Sequence, residues 1–390
     1  MTDQNRNTSG LKNLFKKSHL VFFAGALFLL AVLFFVFPEF FSNTISYPPR
    51  EIDADQVSTP TKPLTPVLTS LNTSTYDKKL NELANNPPPK GPTTKTIKDK
   101  KTGKITTVTV PAKIALPNIW PVKTVYPNAG ALLPFNRIVA YYGNLYSKHM
   151  GVLGEYSEDV MLQKLNTEVK KWEVADPSTP VVPALHYIAV VAQGSAGKDG
   201  KYRARMPSSE IDKVVKMADK IHGIVFLDIQ VGLSNVQSEI PVFEKYLKLP
   251  NVHLGIDPEF SMKTGNKPGT VIGTFSASDV NFAANYLAKI VKENNLPPKI
   301  LVVHRFTQGM LTNYKEIKPL PEVQIVMNMD GWGGKAKKIG TYKNFIYPQP
   351  VQFTGFKLFY KNDILTPGTS MMTPNDLLKL NPQPSYIQYQ

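Results

Sequence analysis

The chain has 390 residues, with 45 Lys and Arg against 30 Asp and Glu, a net charge of +15 and no cysteine. The missing thiol excludes disulfide staples, thiol catalysis, thiolate metal sites and a lipid-modified cysteine anchor. Much of the basic excess lies in the N-terminal tail and the linker that follows, and no Lys/Arg stripe is interleaved with aromatics. Nucleic acid is therefore not an expected partner; anionic envelope polymers or lipid head groups suit the charge better.

Residues 20–37 carry no charge, are rich in Phe and Leu, and are closed by Pro38 and Glu39. This stretch is long enough to cross a bilayer as a helix. Arg6, Lys12, Lys16 and Lys17 precede it, so a cytoplasmic tail over 1–19 and a transmembrane signal anchor over 20–38 are expected, with the remaining chain extracytoplasmic. Residues 39–134 then read as a linker rich in Pro, Thr and Lys. Runs such as Pro87-Pro88-Pro89 favour an extended, semi-rigid stalk. Within it, the strand-like pieces 94–97 and 105–110 flank Asp99-Lys100-Lys101-Thr102-Gly103-Lys104, which predicts a β-hairpin.

Beyond Pro134 apolar runs of strand length recur at 137–142, 181–191, 223–229, 252–256, 270–275, 299–304, 323–329 and 351–359. Most are near-continuous, as in strands buried on both faces of a parallel sheet. Helical periodicity fills the gaps at 158–172, 210–221, 236–249 and 277–294, with weaker helices at 309–317 and 334–345 and a last one from Thr373 to Leu380. Repeated strand–helix units predict an α/β fold of the (β/α)8 TIM-barrel type over 135–390. An open doubly wound sheet is the runner-up, but Tyr142-Gly143-Asn144 lacks the glycine fingerprint such a sheet carries after its first strand. Lys198, in the Gly-rich segment 194–200, lacks the following Ser/Thr of a phosphate loop.

In such a barrel, polar residues at the C-terminal strand ends converge on one mouth. The sequence places Tyr141 and Tyr142 after the first strand, His186 in the second, Asp228 and Gln230 after the third, and Asp257 and Glu259 after the fourth. His304, Asp330 with Trp332, and Lys357 with Tyr360 end later strands. Any one of these has a structural use: a buried acid caps a helix or meets a lysine, and His186 fits a hydrogen-bonded core histidine. Together they exceed what packing needs. A pair of carboxyls suits glycoside hydrolysis, where crowding keeps one protonated as the acid. Glu259 is the expected proton donor, tuned by Asp257, with Asp228 or Asp330 across the mouth. Tyr141, Tyr142, His186, Gln230, His304, Trp332 and Lys357 are the expected substrate-binding residues.

Asp257-Pro258-Glu259 at the fourth strand resembles the acidic Asp-x-Glu end of the chitinase-like glycosidase motif. That resemblance implies an acid role for Glu259 and an assisting role for Asp257 toward an acetamido group. The upstream Asp-Gly-x-x-Asp part is replaced here by Asn251-Val252-His253-Leu254-Gly255-Ile256. More broadly, residues 137–365 resemble an uncharacterised group of bacterial envelope-anchored barrel proteins, on segments 150–155 and 252–260. The leading expectation is an anchored barrel acting on an envelope or extracellular glycan or cell-wall polymer, with no cofactor and no metal. Two alternatives stay open: a glycan-binding or scaffold barrel that does not cut, and a metal-dependent polysaccharide hydrolase or deacetylase using Asp228, His186 and His304.

Overall fold

A computed structural model describes residues 70–88, 93–98, 103, 105–110 and 118–390. The expected tail and signal anchor lie outside the described residues. Among the described residues no helix is long and apolar enough to cross a membrane.

Seven of the eight strands expected from the apolar runs close into a ring with one that was not expected. In chain order they are β1 (Arg137–Gly143), β2 (Val181–Ala192), β3 (Ile224–Ile229), β4 (Val252–Ile256), β5 (Lys299–Arg305), β6 (Val323–Met329), β7 (Phe353–Leu358) and β8 (Tyr386–Tyr389). Each pairs in parallel with its chain neighbour, and β8 returns to β1 with Tyr386 opposite Ile138. The ring is the (β/α)8 barrel. Arg203–Arg205 adds a short antiparallel strand beside the end of β2.

One expected strand is not in the ring. Residues 270–275 supply only Phe275–Ser276, which pair with Leu311–Thr312 outside the barrel. The eighth place is taken instead by Tyr386–Tyr389, past the last helix. The runs expected as strands six, seven and eight are therefore β5, β6 and β7. The segment 270–275 follows Pro268 and Gly269 and holds exposed Val271 and Ile272, so its apolar composition reports a loop near the mouth and not a buried strand.

Helices cover the outside of the ring most fully on its first half. The principal ones are α2 (Glu158–Ala175), α3 (Ser208–Asp219) and α4 (Ala277–Asn294). On α4 the predicted stripe Val280, Ala284, Leu287 and Val291 is buried, and Ser276 and Asp279 form a reciprocal capping box. On α2 the buried face runs through Met161, Leu165 and Trp172, while Val160 is exposed. From β5 onward the connections are 3-10 turns and short helices, as the weak periodicity there suggested.

The predicted hairpin is present, with Thr93–Lys98 antiparallel to Ile105–Val110. Another part of the proline-rich segment 39–134 packs as part of the barrel body. Helix α1 (Thr73–Ala84), capped by the Asn72 side chain, brings Tyr76 and Ala84 into full burial. Tyr76 and Leu133 join Ile138, Ala140, Phe226, Ile300 and Val326 in the apolar filling of the lower barrel. Gln324, inside the ring, clamps the Leu133 backbone by accepting from its N–H and donating to its carbonyl. The N-terminal mouth of the barrel is thus stoppered, which leaves the C-terminal mouth for chemistry.

Candidate active site

Strand alternation decides what fills the upper barrel. The parity that puts Ile138 and Ala140 inside also puts Tyr142 inside and turns Tyr141 outward. On the other strands the inward positions include His186, Asp228, Gly255, His304, Asn328, Asp330, Lys357, Tyr386 and Gln388. Below this level the filling is mainly apolar, with Gln324 and His253 each hydrogen-bonded to backbone; above it, almost every group is polar.

Those groups form one connected network. Tyr142 Oη donates to Asp228 Oδ2 at 3.0 Å and accepts from Gln230 Nε2 at 3.3 Å. His304 Nδ1 meets Asp330 Oδ2 at 2.9 Å, and Lys357 Nζ sits 2.9 Å from the other oxygen, Oδ1. Lys357 also stands 3.9 Å from the centre of the Tyr142 ring. His186 Nδ1 lies 2.6 Å from Tyr386 Oη, which in turn accepts from Gln388 Nε2 at 3.0 Å.

Above the network lies a cavity of about 610 Å3. Asp257, Glu259 and Asp330 line it together with Tyr142, Gln230, Lys357 and the aromatic residues Phe260, Phe306 and Trp332. The close placement of Asp257 and Glu259 has two local causes. β4 ends at Ile256, and Pro258–Phe260 form a single 3-10 turn in which Asp257 Oδ1 accepts from the Glu259 N–H at 3.0 Å. Asp257 is still extended and takes the next inward position after Gly255, and the side-chain-capped turn then brings Glu259 to the same cavity.

Burial and neighbouring charges split the carboxyls into two kinds. Burial pushes Asp257 up to about 7, with Asp228 and Asp330 adding to the rise against the opposing pull of His304. Burial, reinforced by Asp257 and Asp330, pushes Glu259 up to about 8. Burial would also raise Asp228 and Asp330, but cations win there: His304 and His186 hold Asp228 well below the usual range, and Lys357 and His304 lower Asp330. His304 shows the converse. Burial opposes its charge, yet Asp228 and Asp330 lift it to about 10. Burial dominates at His186 and drives it down to about 4. Near neutral pH the cavity wall therefore presents a mostly protonated Glu259, an Asp257 in mid-titration and an ionised Asp330, a pattern suited to proton donation beside an anion.

Most of the predicted residues meet here, at two depths. Glu259, Asp257, Asp330, Tyr142, Gln230, Trp332 and Lys357 line the cavity. Asp228, His186 and His304 are fully buried below it; their reach to a ligand is through Tyr142 and Asp330. Tyr141 is not brought to the site: it faces the outer layer, with its hydroxyl 3.1 Å from that of Tyr360 and its ring edge-on to Tyr389. Trp332 is half-buried, with Lys337 Nζ 4.5 Å from its ring centre, so that contact involves its π surface. The residues that sequence reasoning missed lie mainly on β8: Tyr386 and Gln388 brace the network, and Gln390 lines the cavity. Their signal was the alternation Tyr386-Ile387-Gln388-Tyr389, short and close to the end of the chain.

Besides Asn328 Oδ1, three atoms inside the network stay without a hydrogen-bond partner among the described residues: His186 Nε2, Asp228 Oδ1 and His304 Nε2. They converge within 4.8 Å of one another, making this the place in the site where a metal ion could be held.

Compared with known proteins, the chain matches no protein-family model and no curated protein.

Proposed function

We propose that this barrel is an extracytoplasmic, membrane-tethered hydrolase acting on an envelope or extracellular glycan by carboxylate acid/base catalysis. The observation that carries the reading is the shared cavity wall of Asp257, Glu259 and Asp330. Glu259 is the proton donor. It is held in its acid form close to neutrality, and its longer side chain stands at the cavity while Asp257 is engaged in its turn. Asp330 supplies the negative charge that stabilises a developing cation or activates water, and Lys357 keeps it ionised. Asp228 serves from below by fixing Tyr142, which is a reassignment from a direct catalytic role.

The cavity chemistry supports a carbohydrate. Sugars present apolar ring faces and a dense set of hydroxyls, and the wall offers Phe260, Phe306 and Trp332 beside Gln230, Asp330 and Lys357. The chitinase-like resemblance of Asp257-Pro258-Glu259 fits the same assignment. The tether rests on the uncharged stretch 20–37 with basic residues before it. A signal anchor there leaves the barrel on the side of the membrane where wall and capsule polymers lie.

The test is a panel of wall and exopolysaccharide fragments incubated with the full chain and with Glu259→Gln. The reading expects product release that the substitution reduces by at least about a hundredfold, with the melting temperature nearly unchanged. Binding without release in the unaltered protein would instead make this a glycan-binding barrel.

A further inference from the structure

We infer that His186, Asp228 and His304 form a binding site for one zinc-type divalent metal ion beneath the floor of the cavity. This goes beyond the glycan reading and does not rest on it.

The argument starts from which atoms are satisfied. Each of the three side chains has its outer atom in a hydrogen bond, while the inner atoms meet only one another, as long ion-pair contacts of 3.4 and 3.5 Å. His186 Nδ1 is held by Tyr386 Oη at 2.6 Å, His304 Nδ1 by Asp330 Oδ2 at 2.9 Å, and Asp228 Oδ2 by Tyr142 Oη at 3.0 Å. The inner atoms, His186 Nε2, Asp228 Oδ1 and His304 Nε2, have no hydrogen-bond partner among the described residues, although all three side chains are fully buried. Buried polar atoms without hydrogen bonds are costly, and here three of them face one point with only long mutual contacts. A metal-ligating histidine ordinarily gives its second nitrogen to a carboxylate or another oxygen, which fixes the ring and its tautomer. Both histidines here have that outer partner.

Spacing and ligand type then suit one kind of ion. His186 Nε2 is 3.4 Å from Asp228 Oδ1, and His304 Nε2 is 3.5 Å from the same oxygen. Tetrahedral ligands at zinc distances of roughly 2.0–2.1 Å stand about 3.4 Å apart. Those two edges match a tetrahedral site, and the third pair, His186 Nε2 and His304 Nε2, lies within 4.8 Å. Two imidazoles and one carboxylate suit zinc once the entering ion displaces the His304 proton to solvent, and the pattern leaves a fourth position open, as in zinc sites that keep an exchangeable ligand.

Room for the ion comes from Gly255. A Cβ at that residue would lie 2.5 Å from both Asp228 Oδ1 and His186 Nε2. Any side chain would occupy the space next to the inner atoms, and glycine leaves it open. The ion would tie β2, β3 and β5 together. Asp257, the next residue on the inward side of β4, lies between this level and the cavity.

The site is tested on the full chain in detergent, stripped with a chelator and reloaded with zinc or cobalt chloride. One ion per chain by elemental mass spectrometry, a higher melting temperature on loading, and the strong visible bands of tetrahedral cobalt are expected. Asp228→Asn and His304→Ala should lose the ion. Tyr386→Phe, which keeps the ring and removes only the support of His186, should weaken zinc binding about 10- to 100-fold. His222→Asn, at an exposed histidine elsewhere, should leave it unchanged. No stoichiometric ion in the reloaded protein, an octahedral cobalt spectrum, or full affinity in Tyr386→Phe would each overturn the site. The last holds even if the buried-ligand variants fail to fold. None of these measurements involves a glycan, so the metal site and the hydrolase reading succeed or fail separately.

Discussion

Lys357 and Asp330 show how single side chains set the character of the cavity. Both are almost fully buried, 2.9 Å apart, and the lysine is the leading reason that Asp330 stays ionised against the cost of burial. Removing one member of such a pair leaves a buried charge without its partner, which typically costs about 3–5 kcal/mol. Lys357→Met should therefore lower the unfolding free energy by about 3 kcal/mol in urea titrations. Adding Asp330→Asn should recover much of the loss, although any glycan cleavage would not return. Equal losses in the single and double variants would mean that the two groups are not coupled. At this scale the sequence was informative about residue type and less so about depth. Asp228, His186, His304 and Asp330 were legible as polar groups at strand ends. That His304 takes the charge while His186 loses it follows from two carboxylates flanking one ring, whereas the other is buried with Asp228 alone and near the charges of His304 and Lys357, and such cross-barrel contacts have no local signature.

Elements that close the ring came from opposite ends of the chain, and this is where sequence reasoning was weakest. The buried parallel strands β1 to β7 announce themselves as apolar runs because both of their faces are covered. β8 alternates polar and apolar residues, since Tyr386 and Gln388 face a polar interior, and it is only Tyr386–Tyr389 long. The run at 270–275 was more apolar and drew the assignment away from it. Helix α1 was hidden by the prolines on either side of it. Its mean hydropathy is low, but its one large buried residue, Tyr76, is 2% exposed and sits in the apolar filling of the lower barrel. Truncating a buried aromatic side chain costs about 3–5 kcal/mol. Tyr76→Ala should thus destabilise the barrel by about 3 kcal/mol in chemical unfolding, whereas Thr75→Ala on the exposed face should change it by under about 0.5 kcal/mol. A negligible effect of Tyr76→Ala would mean that α1 is not part of the folding unit.

Seen as a whole, the barrel is polarised along its axis. Its N-terminal mouth is stoppered by α1 and the Leu133 segment, its middle is apolar, and its C-terminal third holds ionisable groups in contact with one another beneath an open cavity. That layout concentrates low-dielectric surroundings where the charges are. This is why opposite shifts coexist within one site: Glu259 and Asp257 are raised, and Asp228 and Asp330 are lowered. The hydrolase reading depends on the first of these, a Glu259 carboxyl that still carries its proton when the pH is neutral. Infrared difference spectroscopy between the full chain and Glu259→Gln, followed across pH, reads that proton directly through the carboxylic C=O band that the substitution removes. A band still present at pH 7 and lost with a midpoint of about 8 is the predicted result. A band lost near the ordinary glutamate value of about 4.3 would show Glu259 ionised at neutral pH and contradict the account.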